Sequence, residues 1–164
     1  MKKIAYLAGS IEFSLGSCHS WRDITKSALS KIGWGVYDPT DNEDTDKVAQ
    51  TLKNAKMKGL EGKNKNHKLW KKFDEIVLGI QEKDSEMVLG SDLLIVMWNT
   101  EIKMAGTENE IIWALQTGIP IYSVINGSVV NESSWMLGLL RKTKIFDNLE
   151  SFIKYMEKNN ETKS

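Results

Sequence analysis

The chain has 164 residues, 41% of them hydrophobic and 27% charged, and its 22 basic and 22 acidic residues cancel to a formal net charge of zero. That is the size of one domain able to bury its own core. The neutral balance argues against a sequence-independent DNA or RNA binder, which needs a basic surface to neutralise phosphates.

The first element is "KIAYLA" (3–8), apolar, aromatic and β-branched, which reads as a buried strand. "HSWRDITKSALSKI" (19–32) places Trp21, Ile24, Ala28, Leu29 and Ile32 at helical spacing, and Gly33 ends it. A short strand, "WGVYDP", follows. Residues 40–66 form a polar insertion, read as a surface excursion with one short helix at 46–58; its lysines read as a solvated face. A helical pattern returns over 67–90. "DLLIVMW" (92–98) is apolar without a break, which suits a central parallel strand covered on both faces. "AGTENEIIWALQTG" reads as a helix closed by Gly118, "IPIYSVI" (119–125) as a further strand, 132–141 as helical, "KIFD" as a weak last strand and 148–158 as a final amphipathic helix. One domain is expected over 1–158, with a disordered tail at 159–164.

Strand–helix alternation with about five strands implies an α/β fold, an open parallel sheet flanked by helices of the flavodoxin or Rossmann kind. Ligands in such sheets sit at the carboxyl ends of the strands. The informative segments are therefore Gly9–Ser14, Asp38–Thr40, Asn99–Thr107 and Asn126–Ser128.

One cysteine, Cys18, excludes an internal disulfide and suits a reducing compartment; it reads as a small packing residue. No Cys/His ligand spacing appears, so no metal is expected. No apolar run is long enough to cross a membrane and no signal region is evident, so the expected location is the cytoplasm.

The loop after the first strand carries neither the P-loop ending nor a second glycine at dinucleotide-binding spacing. It offers Gly9, a hydroxyl at Ser10 and a carboxylate at Glu12, which is a ligand loop or a plain turn. "AGTENEI" sets Glu108 and Glu110 at the start of a helix that follows a strand's carboxyl end. Asp84 lies near the end of the preceding helix. Two carboxylates meeting in one cleft are what glycosyl transfer uses, one as nucleophile and one for proton handling. Helical phasing alone does not choose between Glu108 and Glu110; with Ile111, Ile112 and Leu115 facing the core, Glu108 lies nearer that stripe. Trp98 and Asn99 end the third strand; Trp98 either stacks on a base or belongs to the core.

These pieces resemble the nucleoside 2-deoxyribosyltransferase family and its relatives, the nucleotide N-glycosidases. The matching segments are "YLAGSI" (6–11), "WR" (21–22), "YDP" (37–39), Asp84 ahead of "SDLLIV" (91–96), and "GTENEIIWAL" (106–115), in family order over residues 3–124. The resemblance implies a flavodoxin-like fold, often a homo-oligomer with active sites near subunit interfaces. It implies a retaining reaction on a small-molecule nucleoside or nucleotide and a free base, with no cofactor. Glu110 would be the nucleophile, Asp84 would handle protons on the base, and Tyr6 would orient the nucleophile. Gly9, Ser10 and Ile11 would line the pocket, with Glu12, Arg22, Asp38, Trp98, Asn99, Gly106 and Thr107 around the substrate. In the nucleoside transferases an aspartate that contacts the sugar's 5′ end stands two residues before the motif glycine. Here that position is Met104, which favours a 5′-monophosphate, with Ser10, Arg22 or Lys103 as phosphate partners. The rival readings are a non-catalytic nucleotide-binding module of the same fold and a ribosyl or NAD-type glycohydrolase.

Overall fold

The computed structural model describes residues 2–11, 18–41, 45–60 and 67–161. Strands β1 (Ile4–Gly9), β2 (Gly35–Tyr37), β3 (Leu93–Asn99), β4 (Ile121–Asn126) and β5 (Lys144–Phe146) form one sheet, ordered β2-β1-β3-β4-β5. Every neighbouring pair is parallel. Helices α1 (Cys18–Lys31), α2 (Thr45–Leu60), α3 (His67–Leu89), α4 (Ala105–Thr117), α5 (Ser134–Leu140) and α6 (Leu149–Glu161) connect or follow the strands. The strand order reverses between β1 and β3, and that is where such sheets open a ligand crevice at their carboxyl ends.

Alternation along the central strands explains their unbroken hydrophobicity. Tyr6 and Ala8 of β1 and Leu94, Val96 and Trp98 of β3 face one way, onto Val88 of α3, Ile111 and Ala114 of α4, and Met136 and Leu140 of α5. Ala5, Leu7, Leu93 and Ile95 face the other way, onto Leu29 of α1 and Phe152 and Met156 of α6. A period of two on a sheet covered on both sides needs apolar residues at every position. Tyr6 is therefore committed by its parity to the α3–α4 side.

The helix expected at 46–58 is present as α2, and it buries Ala49 and Leu52. It lies beside α3, where Leu52, Ala55, Phe73 and Ile76 line a shared cleft. A narrow apolar stripe is enough to seat a helix on a neighbour. At the other end α6 runs on to Glu161, into the segment expected to be disordered. Among the described residues no helix is long and apolar enough to cross a membrane.

Candidate active site

Glu110 sits on the second turn of α4 and is buried. The helix buries Thr107, Glu110, Ile111 and Ala114, a stripe at i, i+3, i+4 and i+7. The expected stripe through Ile111, Ile112 and Leu115 is thus rotated: two polar residues occupy the inward face, which a hydropathy pattern cannot report. Glu108 is exposed, so Glu110 is the carboxylate that enters the fold. Gly118 ends the helix in the left-handed conformation and its N–H closes on the Ala114 carbonyl.

Tyr6, fully buried on β1, donates its hydroxyl to Glu110 Oε1 at 2.6 Å. Asp84, half-buried near the end of α3, acts electrostatically on the same phenol.

The electrostatics agree with a pair that holds one proton. Burial pushes the Asp84 carboxyl up to about 6, against the Tyr6 hydrogen bond and the charge of Lys83. Burial pushes Glu110 up to about 7, with repulsion from Asp84 adding to it; the Tyr6 and Thr107 hydrogen bonds and the charge of Arg22 work the other way. The Tyr6 phenol is driven far above its ordinary range, first by burial and then by Glu110 and Asp84, so it stays protonated and acts as a donor.

The remaining expected site residues divide. Ser10 and Ile11 leave β1 half-buried, and Asn99 ends β3 half-buried; Gly9 and Met97 pair in register between the two strands. Gly106 is exposed in the first turn of α4, with open space where a Cβ would stand. These residues stand at the carboxyl ends of β1 and β3 and at the start of α4. Gly9 itself has its side-chain space occupied: a Cβ there would fall 2.9 Å from Trp21 Cζ2. Packing against Trp21 is enough to require glycine here.

Trp98 belongs to the core instead of offering a stacking surface. It is buried among Tyr6, Val96 and Met104, and its Nε1 donates to Glu132 Oε1 at 2.8 Å. Arg22 and Asp38, expected at the substrate, have fully buried side chains that face each other, with Arg22 Nε 3.3 Å from Asp38 Oδ1. Met104 is also buried; its sulfur accepts the Asn99 N–H at 3.1 Å. Glu12 and the side chain of Cys18 lie outside the described residues. Two residues went unnoticed in the sequence. Lys26, one helical turn beyond Arg22, pairs with Asp38 Oδ2 at 2.8 Å and Asp41 Oδ1 at 2.7 Å. The i, i+4 spacing of Arg22 and Lys26 was a usable signal; the loop position of Glu132 offered none.

No family model and no curated protein matches the sequence. Solved structures match it in shape. A 2-deoxyribosyltransferase from Leishmania mexicana aligns over 93% of this chain and 95% of its own, at a TM-score of 0.60 and 16% identity. A second, from the psychrotolerant bacterium Bacillus psychrosaccharolyticus, aligns over 92% and 90%, at 0.58 and 15% identity. The chain shares its fold with 2-deoxyribosyltransferases. A CMP N-glycosidase from Clostridium botulinum has the same fold more distantly, over 94% of this chain and 98% of its own, at a TM-score of 0.51 and 15% identity. In this fold the Tyr6–Glu110 hydrogen bond joins β1 to α4, next to the reversal of strand order between β1 and β3.

Proposed function

We propose that this protein is an enzyme that cleaves the N-glycosidic bond of a 2′-deoxynucleoside or its 5′-monophosphate. The observation that carries the reading is the buried Tyr6–Glu110 hydrogen bond between β1 and α4, with the Asp84 carboxyl close enough to act on both groups. Glu110 attacks the anomeric carbon of the sugar. The bond to the base breaks, its electron pair leaves with the base, and Asp84 supplies the proton that the base nitrogen takes up. A glycosyl ester forms on Glu110. A second base or a water then attacks the same carbon, gives its proton to the Asp84 carboxylate and releases the Glu110 carboxylate, with overall retention in the transfer. Tyr6 holds Glu110 in one orientation and steadies its charge until attack.

Met104 supports a 5′-monophosphate as the substrate. Its buried thioether carries no charge to repel a phosphate and is turned toward the Asn99 backbone. Ser10, Lys103 and the rim backbone are the phosphate partners in this reading. The likeness in fold supports a small-molecule nucleoside or nucleotide as substrate. A cytoplasmic homo-oligomer is the expectation drawn from the sequence, and sedimentation against the 18.6 kDa monomer tests the assembly.

The test is chromatography of free bases after incubation with each deoxynucleoside and each deoxynucleoside monophosphate, with and without an acceptor base. Base release without acceptor identifies a hydrolase. Exchange only with acceptor identifies a transferase. Glu110→Gln is expected to lower either rate by at least about a thousandfold, the scale at which loss of a covalent nucleophile is felt. Unchanged rates in that variant, or no product from any substrate, would sink the catalytic reading and leave a nucleotide-binding module.

A further inference from the structure

A nucleobase binds well to a flat aromatic surface. Trp98, the expected one, is closed inside the core. The other tryptophans stand in different places. Trp34 precedes β2, at the amino end of the sheet, with Lys3 Nζ 5.4 Å from its ring centre. Trp70 is in the first turn of α3, edge to face with Phe73. Trp113 lies along α4 and packs on the core. Trp135 is exposed on α5, beyond β4. Trp21, early in α1, is half-buried and lies against the carboxyl end of β1.

Gly9 is the last residue of β1 and pairs in register with Met97 of β3, where the strand order reverses. A Cβ on Gly9 would stand 2.9 Å from Trp21 Cζ2 and 3.4 Å from the Met97 carbonyl oxygen. The six-membered ring of the indole therefore reaches the point where β1 and β3 end together. Any other residue at position 9 would push it away. The ring is also held from behind. The Arg22 guanidinium lies 4.6 Å from its centre, within range of a cation–π attraction. That guanidinium is fixed in turn, by the Gly9 carbonyl at 2.9 Å and by Asp38 Oδ1 at 3.3 Å. An aromatic surface set in place before a ligand arrives costs little ordering when the ligand binds. Strand parity puts Trp21 with Ala5 and Leu7 on the α1 side of β1, and Tyr6 with Glu110 on the α4 side. A ligand lying across the end of β1 would meet the indole on one side and the carboxylate on the other.

We propose that Trp21 is the platform for the nucleobase: the purine or pyrimidine ring stacks on the half-open indole at the carboxyl end of β1, and the sugar crosses the strand end toward Glu110. The inference rests on the proposed reaction for its purpose, but its test reads binding alone.

The probes are the free bases adenine, guanine, cytosine and thymine, the four deoxynucleoside monophosphates, and 2-deoxyribose 5-phosphate, which carries no base. Each is titrated into the full chain as wild type, Trp21→Phe and Trp21→Leu. Trp21→Leu keeps an apolar side chain and removes the ring. It is expected to weaken the best-bound base by about tenfold or more, the scale of losing one base–aromatic stack, while Trp21→Phe stays within about threefold of wild type. Binding of 2-deoxyribose 5-phosphate should be the same in all three proteins. A second readout needs no folded Leu variant. The indole N–H resonance of Trp21, assigned by its absence from Trp21→Phe, should move when a base or monophosphate saturates the wild type, and stay put with 2-deoxyribose 5-phosphate. An indole signal unmoved by a bound base overturns the inference. So does a folded Trp21→Leu that binds bases as wild type does, or that loses base and 2-deoxyribose 5-phosphate alike, which is the mark of a merely structural role. A wild type that binds no base and no monophosphate overturns it as well. A base that binds and moves the Trp21 signal, but is never released from any nucleoside or nucleotide, supports the platform and overturns the proposed reaction.

Discussion

At the scale of single residues, the site sets two carboxyl groups, Glu110 and Asp84, around one buried phenol, which costs stability. The folded state binds more protons than the unfolded chain between the ordinary carboxylate value of 4.5 and about 7, where Glu110 titrates. Stability therefore falls as pH rises through that window. Glu110→Gln keeps an acceptor for the Tyr6 hydroxyl and removes the charge. It is expected to stabilise the protein by on the order of 2 kcal/mol at pH 8 and by almost nothing at pH 5. Thermal melts of both proteins at the two pH values check this; equal melting points at pH 8 would show that burying Glu110 carries no charge penalty. Catalysis should follow the same pair. In the proposed reaction the reactive form holds one proton, on Asp84, with Glu110 ionised; it is the minor tautomer of the pair, since burial raises Glu110 further than Asp84. The expected kcat/KM profile is a bell with its maximum between about 6 and about 7. Asp84→Asn should remove the alkaline limb, and a profile unchanged in that variant would take the proton role away from Asp84.

At the scale of elements, the loops after β3 and β4 hold each other. Thr100 N–H bonds to the Asn126 carbonyl at 3.0 Å. Gly127 follows with φ +97, and a Cβ there would collide with the Thr100 side chain. Both the backbone conformation and the space demand glycine at this point. Gly127→Ala is expected to destabilise by about 2 kcal/mol or more and to displace the rim at Asn99. Chemical denaturation gives the first quantity; an unaltered midpoint would mean that the two loops are not coupled. The Trp98–Glu132 hydrogen bond ties the segment after β4 to β3 in the same manner. A tryptophan ending a strand near a cleft reads equally as stacking surface or core until the indole's partner is seen.

At the scale of the whole molecule, the sheet separates two cores. The face with α3, α4 and α5 carries Tyr6 and Glu110, while the face with α1 and α6 is an apolar and aromatic cluster around Phe146 and Phe152. Phe146 and Phe152 pack edge to face, 5.4 Å apart. Phe152→Ala should cost about 3–5 kcal/mol, as deletion of a buried aromatic does. Because the sheet stands between, the Glu110 titration should stay where it is. A moved midpoint in this variant would mean that the two faces are mechanically coupled, and that the site is tuned from the far side of the sheet.

Much of this was legible in the chain. Periodicity located all five strands to within two residues, since a doubly covered sheet needs apolar runs and its crossover helices need apolar stripes. The order of short motifs pointed to Tyr6, Asp84 and Glu110 before their geometry was known. The pattern could not say which glutamate turns inward, because helix α4 buries Thr107 and Glu110 on its apolar face and hydropathy counts both as surface. Nor could it separate Arg22 and Asp38 from a substrate contact: a charged pair reads the same in one dimension whether it faces water or itself. Local patterning, which depends on neighbours in sequence, determined the elements and their order. Tertiary packing alone decided which polar side chains were taken out of water and aimed at one another, because burial and opposition of charges arise only when distant segments meet.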